Sequence, residues 1–264
     1  MKKLIVNADD LGLTPGVSDG IIAAYTQGIV TSTSALMNTA HIHRDLPRSR
    51  QACPNLGIGV HLTLTEGQPL MPREKVQSLV DENGCFYKLN HNPEQIRGLD
   101  LDEVRAEWKT QIESFQGYGF DPDHLDSHHH SSYFQPELFK TMLELACEYQ
   151  LPVRYPPQVF LEWLGKENVD RWLQEYCVKT PSDCITSFYG HDNAVSQENI
   201  LNIIHSLDKG AHEMMCHPGY ADQKLLENSS YGAPRELELE ILTNNEIKNA
   251  IRDEDVQLIS FSAL

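Results

Sequence analysis

The chain has few basic residues, no long apolar run and no paired-cysteine motif. Among its 264 residues, 21 lysines and arginines face 38 aspartates and glutamates, a formal net charge of −17. That balance argues against nucleic acid or an anionic membrane as the main partner, because both carry charge of the same sign. A phosphorylated small molecule held by a few local arginines stays open. The six cysteines stand at 53, 85, 147, 177, 184 and 216, with no C-x-x-C spacing, so a zinc ribbon and a thioredoxin-like motif are both missing. Cys147, Cys177 and Cys216 lie in apolar or helical surroundings that suit buried free thiols, and a reducing cytoplasm is the simpler expectation. Near the N-terminus only Leu4-Ile5-Val6 is apolar before Asn7, too short for a secretory signal, and no run approaches membrane-spanning length.

What the chain does have is a hydrophobic fraction of 40%, enough for a packed core, and a concentration of histidine. Residues 123–130 read D-H-L-D-S-H-H-H, with four histidines and two aspartates in eight positions. Run extended, the segment would point His124, Asp126, His128 and His130 to one side and Leu125, Ser127 and His129 to the other. Imidazole with carboxylate suits a divalent metal of the zinc, iron or manganese type. Alone, such a tract reads equally as a histidine-rich surface loop.

Hydrophobic periodicity sets the frame. Strands are expected at Leu4 to Ala8, Thr31 to Met37, Leu56 to Leu64, the histidine segment, Pro152 to Tyr155, Ile185 to Tyr189, Glu213 to Cys216 and Val256 to Phe261. Helices are expected over Gly16 to Gln27, His41 to Cys53, from Asp100 to Gly117, after Pro136 and after Ser196. Asp100 with Glu103, and Thr243 with Glu246, form capping-box patterns. Residues 67–100 break the rhythm with Pro69, Pro72, Asn83-Gly84 and Asn92-Pro93, and read as a loop-rich insertion. Residues 156–184 read as irregular, with Trp163 and Trp172 on short helices. About eight alternations of strand and helix predict an α/β fold, a single (β/α) barrel of TIM-like type, irregular in places, formed by residues 1–264 as one domain.

The polar residues gather at expected strand ends. Asp9, Asp10, His61, His124 to His130, His191 and His217 all stand there, and in a parallel barrel those ends share one rim. Asp9 and Asp10 can both enter one site only if the chain turns, which Leu11-Gly12 permits. One carboxylate could hold a metal while the other takes a proton from water. His61 is the natural third ligand, and His217, before Pro218-Gly219, suits a general acid. Arg154 could steer a carboxylate, bind substrate or sit in a surface salt bridge. Tyr133, Phe134, Trp163 and Trp172 could form a sugar platform, though such residues are more often core. His191 is left without a role.

N-A-D-D-L-G at 7–12, G-V-H-L-T-L-T-E-G at 59–67, H-L-D-S-H-H-H at 124–130 and M-C-H-P-G at 215–219 together resemble the YdjC-like carbohydrate deacetylases, a family that includes the chitooligosaccharide deacetylases. With L-T-x-x-E-I-K at 242–248 the resemblance spans nearly the whole chain. It implies a barrel related to the polysaccharide deacetylases, a homodimer, and a divalent metal, usually magnesium, held at positions that match Asp10, His61 and His128. It also implies Asp9 as base, His217 as acid, and a small carbohydrate substrate such as N-acetylated chitobiose or its 6-phosphate. On ligand chemistry, zinc, manganese or cobalt should bind such a set at least as well. A metal-dependent phosphoesterase on the same barrel and a non-catalytic, metal-dependent sugar-binding protein are the rival readings.

Overall fold

The computed structural model describes residues 1–88, 93–190 and 193–264. His191 lies outside them, so its expected strand-end position remains a sequence reading. Among the described residues there are seven strands: β1 (Lys2–Leu11), β2 (Ser32–Ala35), β3 (Gly57–Leu62), β4 (Leu125–Ser127), β5 (Cys184–Ile185), β6 (Gly210–Cys216) and β7 (Val256–Leu258). All pair in parallel, in the order β4-β3-β2-β1-β6-β5, with β7 beside the start of β1. The long β1 is the axis. Its first residues lie between β6 and β7, and its last residues are flanked by β2.

The sheet is curled and open rather than a closed eight-stranded barrel. The expected strand at Pro152 to Tyr155 contributes one bridge, Val153 to Leu125, and the expected strand at Ile185 to Tyr189 shrinks to Cys184–Ile185. Proline explains the first loss: Pro152, Pro156 and Pro157 have no N–H to give to a ladder. Backbone bonds from Val153 to Lys179 and from Arg154 to Leu125 carry the chain across that side of the curl.

Alternation along β1 sorts its side chains into two environments. Leu4, Val6 and Ala8 join the large core, whereas Ile5 packs in a second cluster with Ile259 and Phe261. Asn7 and Asp9 continue the face of Ile5 toward the C-terminal end of the strand. Both are buried.

The helices cover the outside. They are α1 (Pro15–Gln27), α2 (Ile42–Ala52), α3 (Pro93–Arg97), α4 (Leu101–Gln116), α5 (Pro136–Tyr149), α6 (Gln158–Leu164), α7 (Lys166–Glu175), α8 (Gln197–Ser206), α9 (Gln223–Asn228), α10 (Ala233–Thr243) and α11 (Asn245–Asp253). The face expected for α4 holds, with Val104, Trp108, Ile112 and Phe115 fully buried. Asp100 caps it, but Glu103 does not complete a capping box. It accepts from Ser78 N and Oγ at 2.7 Å and so ties the 67–100 insertion down. The second expected box shifts by one residue: Asn244, not Thr243, caps α11. The short helices expected to carry Trp163 and Trp172 are α6 and α7. Cys147 and Cys177, expected to be buried, are exposed, while Cys53, Cys184 and Cys216 are buried and all six are free. Trp163 is exposed, and Tyr133 and Trp172 are core. No helix among the described residues is long and apolar enough to cross a membrane.

One close approach fixes α1 against the site. A Cβ on Gly20 would fall 2.4 Å from the Cα of Gly219, in the turn that follows His217. Backbone cannot yield as a side chain can. Gly20→Ala is therefore expected to lower stability by about 1–3 kcal/mol, read from the midpoint of urea unfolding.

Candidate active site

The two adjacent aspartates reach one site by a route the sequence reading did not foresee. The turn does not wait for Leu11-Gly12. Register slips between Ala8 and Leu11 within β1, and Asp10 has φ 77°, a left-handed conformation. Such a bulge turns the second carboxylate onto the side of the first. Aspartate tolerates φ > 0 better than most residues, yet the conformation still costs about 1 kcal/mol and must be held by its surroundings.

The histidine segment departs from the expected extended run. β4 ends at Ser127, and His128–Tyr133 coil into a 3-10 turn in which His129 (φ 53°) and His130 (φ 56°) are left-handed. His128, His129 and His130 consequently all line the same cavity rather than alternating. His129 stacks on His128 at 3.8 Å and pairs through Nδ1 with Thr65 Oγ1 at 3.0 Å. His124 is removed from the group altogether. It precedes β4, stacks on Phe261 at 3.9 Å and pairs with Asp123 at 2.5 Å.

Three expected ligands do converge. His128 Nδ1 lies 3.0 Å from Asp10 Oδ1, and His61 Nε2 lies 3.4 Å from the same oxygen. That oxygen is buried and makes no hydrogen bond. Ligand atoms of all three residues fall within 4.8 Å of one another. A small divalent ion about 2.0–2.2 Å from each donor fits such spacing, and the unbonded carboxylate oxygen is what it would satisfy. His61 turns its other nitrogen, Nδ1, to Asp126 at 2.7 Å, the outer carboxylate that orients a ligating imidazole. Asp126 stood on the expected ligand face of the histidine segment but had been given no role. Arg235, with no motif to announce it, donates to Asp10 Oδ2 at 2.6 Å and leaves Oδ1 to the site. Asp9, His61 and Asp126 form a second group of suitable donors. There a guanidinium already stands between the carboxylates.

That guanidinium belongs to Arg154. It is fully buried, which excludes the surface salt bridge, and of the expected alternatives it takes the one of steering a carboxylate. Its Nη atoms clamp both oxygens of Asp9 at 2.6 and 2.8 Å, Nη1 lies 3.0 Å from Asp126, and Nε donates to Glu213 at 2.7 Å. Burial alone would raise the Asp9 carboxyl, but Arg154 outweighs it and holds Asp9 well below the usual carboxylate range. For Glu213 burial wins and pushes the group up to about 7. Asn7 Nδ2 donates a further bond to Asp9 Oδ1 at 2.8 Å. Asp9 Oδ2 stands 3.9 Å from His61 Nε2 and 3.9 Å from His217 Nε2, so this oxygen looks toward the site. Burial pushes the His217 imidazole down to about 4, with Asp9 only partly offsetting it. Its Nδ1 is buried without a partner.

These groups sit at one end of a cavity of about 740 Å³, lined also by Asn38, Lys88, Tyr189, Lys224 and Tyr231. A curled parallel α/β sheet with an Asp-His-His cluster and a spare carboxylate at its C-terminal mouth defines a hydrolase-like site of the kind metal-dependent enzymes build. The fold is shared with family 4 carbohydrate esterases. The Xyl-CE4 domain of a xylanase from a Trinervitermes trinervoides hindgut metagenome matches at TM-score 0.54 with 9% identity, over all of this chain and 89% of that one. A Clostridium thermocellum acetyl xylan esterase solved with cobalt matches at 0.51 with 11% identity, over 99% of this chain and 89% of that one.

The family model described as YdjC-like protein matches residues 3–253, and the chain belongs to the YdjC-like carbohydrate deacetylases, a family of enzymes. A carbohydrate deacetylase of Thermoanaerobacter pseudethanolicus is 40% identical over the full length of both chains. A chitooligosaccharide deacetylase of Serratia marcescens is 37% identical over all of this chain and 99% of its own. An Enterococcus faecalis V583 protein, solved under a provisional cellobiose-phosphate cleavage label, superposes at TM-score 0.90 with 40% identity, over 99% of this chain and 98% of that one.

Removing the central guanidinium should strand three buried carboxylates. Arg154→Met is expected to cost about 3–5 kcal/mol at pH 7. The deficit should shrink as pH falls from 7 to 3, because the variant's folded state takes up protons on Asp9 and Asp126, whose carboxyls the arginine otherwise holds below their usual range. Denaturant midpoints of both proteins across pH 3 to 7 measure it.

Proposed function

We propose that the protein is a metal-dependent hydrolase that removes the acetyl group from N-acetylated amino sugars, giving acetate and a free amine. The observation that carries this reading is the unbonded Oδ1 of Asp10 between His61 and His128, with the separately clamped Asp9 left outside that set. A binding protein has no need of a spare buried carboxylate. The cavity volume, about 740 Å³, suits a mono- or disaccharide. The names borne by two relatives support a chitooligosaccharide; its 6-phosphate follows from the family resemblance alone.

Asp10, His61 and His128 would hold a divalent ion, which would supply Lewis acidity for amide hydrolysis. Magnesium follows from the family resemblance, while two imidazoles favour zinc, manganese or cobalt. Asp9, kept ionised by Arg154, takes the proton from the attacking water through Oδ2. His217, neutral at rest, lies 3.9 Å from that oxygen and receives the proton from Asp9. His217 then delivers it to the amine nitrogen as the C–N bond breaks, which prevents expulsion of an unprotonated amide ion. Arg154 positions Asp9 and does not touch substrate.

The test is an acetate-release screen over N-acetylglucosamine, its oligomers and their 6-phosphates, with and without chelator. Acetate release that chelator abolishes and added metal restores is expected. Phosphate release without acetate would replace this reading with a phosphoesterase. Asp9→Asn should retain metal stoichiometry by elemental analysis and lower turnover by roughly 10²–10⁴-fold. An Asn variant of full activity removes Asp9 from the role of base.

A further inference from the structure

The turn that carries His217 is held by a helix rather than by its own strand. His217 N–H donates to Glu238 Oε2 at 2.5 Å, and Gly219 N–H donates to the carbonyl of Arg235 at 3.2 Å. Pro218, between them, has no N–H. Every backbone donor of His217-Pro218-Gly219 is therefore committed to α10. Residues three apart on a helix share a face, so the same face sends the Arg235 side chain to Asp10 and the Glu238 side chain to His217.

Glu238 is fully buried, and its second oxygen is also engaged. Oε1 accepts from the Tyr231 hydroxyl at 2.5 Å. The Tyr231 ring meets the His217 imidazole edge-on, with centroids 5.7 Å apart, and Tyr189 covers the imidazole at 4.7 Å. The imidazole itself has no hydrogen bond at Nδ1. A ring without a partner on that atom can turn about its bond to Cβ unless packing stops it. One carboxylate thus fixes both the backbone under the ring and one of the two aromatic walls beside it.

We infer that Glu238 is the positioning residue for His217, aiming the proton donor at the leaving nitrogen without meeting substrate. The inference rests on the deacetylase reading for its chemistry. It assigns the orientation of the acid to a backbone pin and two tyrosine rings, in place of a carboxylate on the second ring nitrogen.

The experiment compares wild type, Glu238→Gln and His217→Ala, each loaded with metal, on an N-acetylated sugar and on 4-nitrophenyl acetate. The nitrophenolate departs without a proton, whereas the sugar amine needs one. For Glu238→Gln, kcat on the acetamide should fall roughly tenfold to a hundredfold, part of what an aligned general acid supplies. KM should stay within about twofold, and ester hydrolysis should change little. His217→Ala should show the same selectivity more strongly. A parallel loss on both substrates would mean that Glu238 only supports the fold, and an unchanged acetamide rate would remove it from the mechanism. Amide hydrogen exchange decides the geometric half separately. His217 N–H should exchange slowly in wild type and much faster in Glu238→Ala, and equal rates overturn the pin. Should wild type cleave neither substrate, the deacetylase reading fails while the exchange result still judges the pin.

Discussion

The buried guanidinium of Arg154 is the interaction on which the rest of the site depends. It joins Asp9 from β1, Asp126 from β4, three places away across the sheet, and Glu213 from β6. Three carboxylates inside a protein would ordinarily repel one another and protonate. One planar cation with a fork geometry matches several of them at once, which a lysine could not do. The result is an ionised Asp9 at the mouth of the sheet and an Asp126 able to orient His61. The cation also occupies the space between Asp9 and Asp126, leaving Asp10, His61 and His128 as the group open to an ion.

The curl of the sheet supplies the second constraint. Parallel strands deliver their C-terminal ends to one side, and the curl brings the ends of β1, β3, β4 and β6 within reach of one cavity. Three residues in left-handed conformation, Asp10, His129 and His130, cluster there. They hold side chains toward the cavity that a regular strand would have turned away.

The outer layer is less symmetrical. α10 comes late in the chain and lies beside the strands that carry the chemistry, yet its first two turns touch both the proposed ligand Asp10 and the proposed acid His217. Gly20 in α1 packs against the turn after His217. Helices thus act on the site through the backbone of that turn and the far oxygen of Asp10, and the cavity side is left to sugar and solvent.

Periodicity and motif order in the sequence determined the alternating α/β plan and the faces of the long helices, and singled out Asp9, Asp10, His61, His128 and His217 as candidates for the site. These are local properties: hydrophobic spacing is read along the chain, and strand-end residues announce themselves by position. Only tertiary structure decided that the sheet stays open, that His124 leaves the site while His129 joins His128 and His130 in it, and that Arg154 lies inside rather than at the surface. It also brought Arg235 and Glu238 to the site from over two hundred residues beyond Asp10 in the chain. The reason is physical. A left-handed residue, a buried ion pair and a carboxylate that grips a distant backbone depend on neighbours far away in sequence, and no local pattern records them.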